Sequence, residues 1–123
     1  MKSFIEIELI KNNISVYKEK CEITKSALNN LTFNGDGFEY QVQHSDTNCY
    51  FSKNNKEFSF TIDIKNDIKA IKYELKEVDA LFDINYKYFY FEQKGHELKI
   101  YYNIETDEAD NIIVIRRFDT DEK

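Results

Sequence analysis

The feature that most constrains this chain is hydrophobic alternation at period two, repeated along its length with no proline anywhere to interrupt it. Ile5, Ile7 and Leu9 alternate with Glu6 and Glu8, and Phe38, Tyr40 and Val42 with Glu39, Gln41 and Gln43. Phe58, Phe60, Ile62 and Ile64 alternate with Ser59, Thr61 and Asp63, and Leu98, Ile100, Tyr102 and Ile104 with Lys99 and Asn103. Successive side chains of a strand point to opposite faces, so each run reads as an antiparallel strand with one buried face and one wet face. Residues 112–115 are apolar on both faces and read as a central strand. Without proline, no ladder position lacks its backbone donor.

Turn chemistry falls between these runs. Asn34-Gly35 and Asp36-Gly37 precede a strand, residues 52–56 separate two aromatic runs, and Lys94-Gly95 lies at hairpin distance between 86–92 and 97–104. The acidic stretch 106–111 joins the last two strands. Consecutive strands with short polar turns make a meander, expected to close into a barrel or fold over as a sandwich to hide its edges. Two segments depart from this pattern. Ile68, Ile71, Leu75, Val78 and Phe82 recur at three- and four-residue spacing, which predicts a helix over 68–81 capped at Asn66 or Asp67. The same stretch also fits a strand through Ile71, Tyr73 and Leu75 after a hairpin at 65–67. Ile23, Ala27 and Leu31 predict a second short helix over 22–30. The expected fold is mostly β (a β-rich α+β class), in a single domain over the 123 residues.

Charge excludes several functions. The chain has 17 Lys+Arg against 23 Asp+Glu, a net charge of -6, which opposes constitutive binding to nucleic acid or anionic membranes. No run approaches the ~18 apolar residues of a membrane span. Near the N-terminus, Glu6 and Glu8 interrupt what would be the apolar core of a secretory signal, so a cytoplasmic location is expected. There, Cys21 and Cys49 are expected as reduced thiols. They have no CxxC spacing and no histidine cluster for zinc. Neither a metal nor a cofactor is implied.

Catalytic constellations are equally sparse. His44 continues the Phe38–Tyr40–Val42 face and reads as a half-buried core residue, while His96 reads as a turn residue beside Gly95. Pairing either one with Cys21 or Cys49 has no support from spacing. Thr32, Asn34, Asp36 and Gly37 resemble a calcium loop superficially, but position 1 lacks Asp and position 12 is Gln43, so a hairpin turn is expected. Glu6 and Glu8 lie ~7 Å apart on one strand face. That spacing suits glycoside hydrolysis, yet it is also the ordinary spacing of a solvated strand face. Three glycines cannot build a phosphate cradle, and there is no GxSxG elbow. No enzyme is expected. Arg116 or Arg117 is expected to pair internally with Glu6 or Glu8.

The aromatic residues are more informative. Of nine tyrosines, Tyr86, Tyr88 and Tyr90 share one strand face and Tyr101 joins the same class, while Lys87, Phe89 and Phe91 share the other face. Tyrosine offers large contact area with few rotors and is enriched at interfaces. Residues 62–123 hold 15 acids against 10 bases, and residues 105–123 hold 7 against 3. An acidic edge beside a tyrosine face suits a cationic protein partner, because complementary fields steer encounter. The candidate partner-binding residues are Tyr86, Tyr88, Tyr90, Asp107, Glu108 and Asp110. Charge reversal of the three acids is expected to slow association and leave stability nearly unchanged.

In its short single domain, acidic balance, Asn/Lys/Ile-rich composition and lack of a catalytic constellation, the chain resembles the immunity proteins of bacterial toxin systems. That resemblance implies an inhibitor that covers the active site of a cationic toxin or nuclease; separately, an exposed edge strand leaves the chain a monomer or a homodimer. In strand number and length the chain also resembles calycin-type barrels, which implies the alternative of a cavity for a small apolar or aromatic ligand. The orientation of Tyr86, Tyr88 and Tyr90 discriminates between the two.

Overall fold

The computed structural model describes residues 2–27, 30–65, 68–105 and 108–120. These form eleven strands: β1 (Lys2–Lys11), β2 (Ile14–Ala27), β3 (Asn30–Gly35), β4 (Phe38–His44), β5 (Asn48–Asn54), β6 (Phe58–Lys65), β7 (Ile68–Leu75), β8 (Ala80–Asp83), β9 (Tyr86–Lys94), β10 (Glu97–Ile104) and β11 (Asn111–Thr120). They hydrogen-bond in the order β8-β7-β6-β5-β4-β3-β2-β1-β11-β10-β9, an antiparallel meander. β8 and β9 each have one neighbour, and among the described residues no ladder joins them, so the order is open rather than cyclic as in a barrel. By packing, the chain divides into two compact units, one formed by Met1–Ile23 with Tyr86–Lys123 and the other by Thr24–Asn85.

There is no helix among the described residues, and therefore none long and apolar enough to cross a membrane. The helix expected over 68–81 is instead β7, a turn and β8. Of the supposed helical stripe only Ile71 is buried, directly opposite Ile62 of β6, whereas Ile68 and Val78 are 74% and 70% exposed. Cross-strand pairing with the strongly alternating β6 outweighs a stripe that has nothing to pack on. Asp79, at a φ of 51°, then breaks the chain into the β8 hairpin. The expected caps Asn66 and Asp67 lie outside the described residues. The helix expected over 22–30 is likewise absent through Ala27, where β2 continues; residues 28 and 29 lie outside the described set.

The short turns follow from residues that tolerate positive φ. Asp36 and Gly37, at 51° and 79°, close the β3–β4 hairpin, and Asn12 and Asn13, at 50° and 65°, close β1–β2. Both are two-residue turns whose twist matches the strands they join. Gly95 at 61° starts the turn that pairs Lys94 with Glu97. In the β5–β6 turn, Asn55 Oδ1 accepts the backbone N–H groups of Glu57 and Phe58. The loop expected at 52–56 thus begins later, after Asn54.

The main core of each unit comes from one set of alternating residues, and in the first unit Val114, Glu8 and Asn103 of the other face are buried as well. In the first, Ile7, Ile115 and Leu98 lie in one cross-strand row, with Ile113 and Ile100 in the next, all 0–4% exposed. In the second, Val42, Phe51, Ile62 and Ile71 form a continuous buried row across β4–β7. Beside it, Phe33 stacks on Tyr40, and Lys53 sits 4.2 Å over the Phe38 ring. Complete burial of such side chains stabilises by about 1.5–3 kcal/mol each.

Candidate interaction surface

On the opposite face of the first unit, the register aligns Lys20, Glu6, Arg116 and Glu97 across β2, β1, β11 and β10. Arg116 Nη1 donates to Glu6 Oε1 at 3.0 Å and to Glu8 Oε1 at 2.9 Å, while its Nε donates to Glu97 Oε2 at 2.8 Å. The expected internal pairing of Arg116 is therefore present, with Glu97 as a third partner. Hydrogen bonds from Ser15 and Arg116 hold the Glu8 carboxyl below its ordinary range, and Arg116 does the same for Glu97. Burial works against the Arg116 charge, but the carboxylates outweigh it and raise its pKa. A general acid needs a raised carboxyl, whereas that of Glu8 is lowered, and Arg116 gathers Glu6, Glu8 and Glu97 into a charge clamp.

The thiols and histidines also occupy structural positions. Cys21 and Cys49 are free and buried, and burial pushes their thiols up to about 11 and about 12. The ladder places His44 directly opposite Cys49, a juxtaposition the sequence spacing did not reveal. Burial lowers the His44 pKa, leaving a neutral imidazole beside a protonated thiol, the reverse of an activated pair. His96 is an exposed turn residue whose carbonyl accepts the Arg117 N–H at 3.0 Å. Among the described residues no group of three or more His, Cys, Asp or Glu could hold a metal ion.

The tyrosines lie on β9 and β10. The hairpin register puts Tyr90 opposite Tyr101, and their rings stack at 4.7 Å with an 11° interplanar angle. Tyr88 leans on Tyr90 at 6.1 Å. Tyr88 and Tyr90 are 38% and 45% exposed. Ile112 and Ile10 extend the Tyr90–Tyr101 row across the sheet, giving the patch an apolar base. Glu92 flanks it, accepting a long hydrogen bond from the Tyr101 hydroxyl at 3.4 Å. Burial, with Glu92 beside it, raises the Tyr101 phenol pKa.

Tyr86 departs from the expected arrangement. Asn103 pairs with Tyr88 but Ile104 pairs with Tyr86, so Lys87 is the extra residue of a bulge. One inserted residue reverses the alternation. Tyr86 is therefore half-buried, with its ring edge-on to buried Phe89 at 4.3 Å, and does not join Tyr88 and Tyr90.

Asp110 lies beside the tyrosines. Its Oδ1 accepts from the Tyr88 hydroxyl at 2.6 Å and from Asn103 Nδ2 at 3.0 Å. Its backbone N–H donates to Asn12 Oδ1 at 3.0 Å, and its carbonyl accepts the Asn12 N–H at 2.9 Å. The β10–β11 connection is thus pinned to the β1–β2 turn next to the aromatic patch. Hydrogen bonds from Tyr88 and Asn103 lower the Asp110 pKa, and the bond to Asp110 raises that of Tyr88. Glu108 is exposed; Asp107 lies outside the described residues. The three acids are therefore not equivalent. Reversing Asp110 would break internal bonds, so the expectation that stability survives charge reversal holds only for a site such as Glu108.

Tyr101, Glu92, Asn103 and Asn12 complete the surface. The Gly95 turn is the sequence signal from which the Tyr90–Tyr101 register could have been found, whereas the contact between Asn12 and Asp110 left no local trace in the sequence. No family model, curated protein or solved structure matches the chain.

Proposed function

We propose that this chain is a protein-binding module rather than an enzyme, and that the face formed by Tyr88, Tyr90 and Tyr101, with Glu92, Glu108 and Asp110 around it, receives a cationic protein. The inhibitor of a cationic toxin or nuclease, in the manner of an immunity protein, is the form of this function that best suits the chain. The observation that carries the reading is the exposure of Tyr88 and Tyr90 directly beside the pinned Asp110. Tyrosines lining a ligand cavity would be enclosed; these present their rings outward.

The chemistry follows from the arrangement. Stacked, pre-positioned rings lose little side-chain freedom on binding, and the electron-rich face of tyrosine attracts lysine and arginine. Glu92 and Glu108 supply the field that steers a cationic partner. Interface tyrosines of this kind contribute about 2 kcal/mol or more when central. Tyr90→Ala should therefore raise the dissociation constant of the cationic partner by accelerating dissociation. Glu108→Lys should act mainly by slowing association. If both variants bind with wild-type kinetics while remaining folded, this face is not the interface.

A further inference from the structure

The second compact unit carries a different surface. Where the buried face of the β6–β7 ladder ends, Phe58 and Tyr73 stack at 5.5 Å and form the floor of a groove of about 390 Å³. Leu75 and Val78, 36% and 70% exposed, form one apolar wall, and Glu57 and Glu77 line the rim. The groove is held by backbone bonds. The Lys76 N–H donates to the Glu57 carbonyl at 2.9 Å, tying the β7–β8 turn to the β5–β6 turn. The Lys76 ammonium donates to Asn54 Oδ1 and to the Asn55 carbonyl, and among the described residues no lysine or arginine lines the groove. Phe82 of β8, paired with Tyr73 and 49% exposed, continues the apolar surface.

We propose that this groove docks a basic segment of another protein. The segment inserts one large apolar side chain over Phe58 and Tyr73 and lays lysines or arginines on Glu57 and Glu77. Two observations select that occupant. The floor and wall are apolar with an aromatic pair at the centre, the anchor geometry of an interface pocket, and the lining charges are both acidic. A second copy of this chain, net -6, would bring acid against acid. The proposal does not depend on the tyrosine surface, which lies in the other unit.

The test is an amide chemical-shift titration of the whole protein with a short synthetic peptide in which lysines alternate with leucine and phenylalanine. A control peptide carries glutamates in place of the lysines. The expected result is saturable shifts at residues 57–58 and 73–82 with a dissociation constant of ~10–100 µM, the weak end of specific recognition. Binding should weaken with salt. Glu57 and Glu77 are exposed turn residues, so a Glu57→Lys/Glu77→Lys double variant should fold as the wild type does, as circular dichroism would verify, and bind roughly tenfold more weakly. Asp46→Asn, at an exposed turn residue outside both surfaces, should leave the titration unchanged. The proposal is overturned by shifts confined to other residues, by equal binding of the glutamate control, or by wild-type affinity in the double variant. Concentration-dependent shifts at 73–82 without peptide would assign the groove to a second copy and overturn it as well.

Discussion

Arg116→Met removes the guanidinium that gathers Glu6, Glu8 and Glu97 while keeping a side chain of similar reach. Three charge-assisted hydrogen bonds of 2.8–3.0 Å are lost. In full burial each would contribute about 1.5–3 kcal/mol. Here the Arg116 side chain is 26% exposed and its partners 12–34%, so solvent screening lowers each to about 1 kcal/mol and the total to about 3 kcal/mol. That corresponds to a melting temperature roughly 10 °C lower for a domain of this size. The pH dependence carries the decisive sign. Because the Glu8 and Glu97 carboxyls are held below their ordinary values, their stabilisation is complete above the unfolded carboxyl pKa, about 4.3, and is lost as pH falls through the lower folded values. Urea denaturation followed by circular dichroism from neutral to acid pH should therefore show the largest deficit at pH 7. The gap to wild type should begin to narrow below about pH 4.3 and close only as the pH falls past the folded values. A deficit under about 0.5 kcal/mol at neutral pH would show that the clamp contributes no more than an ordinary surface pair. A deficit that does not change with pH would show that Arg116 acts through packing alone.

Three further outcomes follow from particular residues. Cys21 and Cys49, buried and with thiols raised to about 11 and about 12, should react with iodoacetamide far more slowly in the native protein than in urea; equal rates would contradict their burial. Gly37 sits at a φ of 79° with nothing within 4 Å of where a Cβ would lie, so Gly37→Ala should cost about 1–2 kcal/mol from backbone conformation alone. A neutral result in denaturant titration would mean the turn relaxes. Tyr88→Phe should lower the thermal midpoint and increase hydrogen exchange in the 108–111 segment, because it removes the hydroxyl that holds Asp110; unchanged exchange there would show that the Asn12 and Asn103 bonds suffice.

What the sequence made legible was whatever buries one face of a strand. β1, β4, β6 and β10 announce themselves because Ile5 and Ile7, Tyr40 and Val42, Ile62 and Ile64, and Leu98 and Ile100 are all core residues. β2 did not, because Cys21 is the one residue of Ile14–Ala27 seen to be buried and Ile14 and Val16 face solvent. Its place comes from cross-strand pairs such as Glu6 with Lys20 and Glu8 with Lys18, which only the register reveals. The β7–β8 segment was misread for a related reason. Exposed Ile68, Val78 and Phe82 happen to fall at helical spacing, and periodicity cannot tell an exposed stripe from a buried one. Local chemistry did fix the Asp36-Gly37 and Gly95 turns, while the pairing of Tyr90 with Tyr101 comes from the register of the hairpin that Gly95 closes. The bulge at Lys87 that turns Tyr86 away is set by pairing with β10, and the groove over Phe58 and Tyr73 is built by two turns distant in sequence. Neither leaves a local signature.

The central claim is that the tyrosine and carboxylate face holds a cationic protein. The direct measurement is a pull-down from the source cells with two baits, the wild-type chain and the folded Tyr90→Ala variant, washed at low and high salt and read by mass spectrometry. The account predicts one strongly basic protein held stoichiometrically by the wild type, released by salt, and lost or sharply depleted on the Tyr90→Ala bait. Equal recovery on both baits, or no basic protein from a lysate shown to contain the neighbouring gene products, would contradict it.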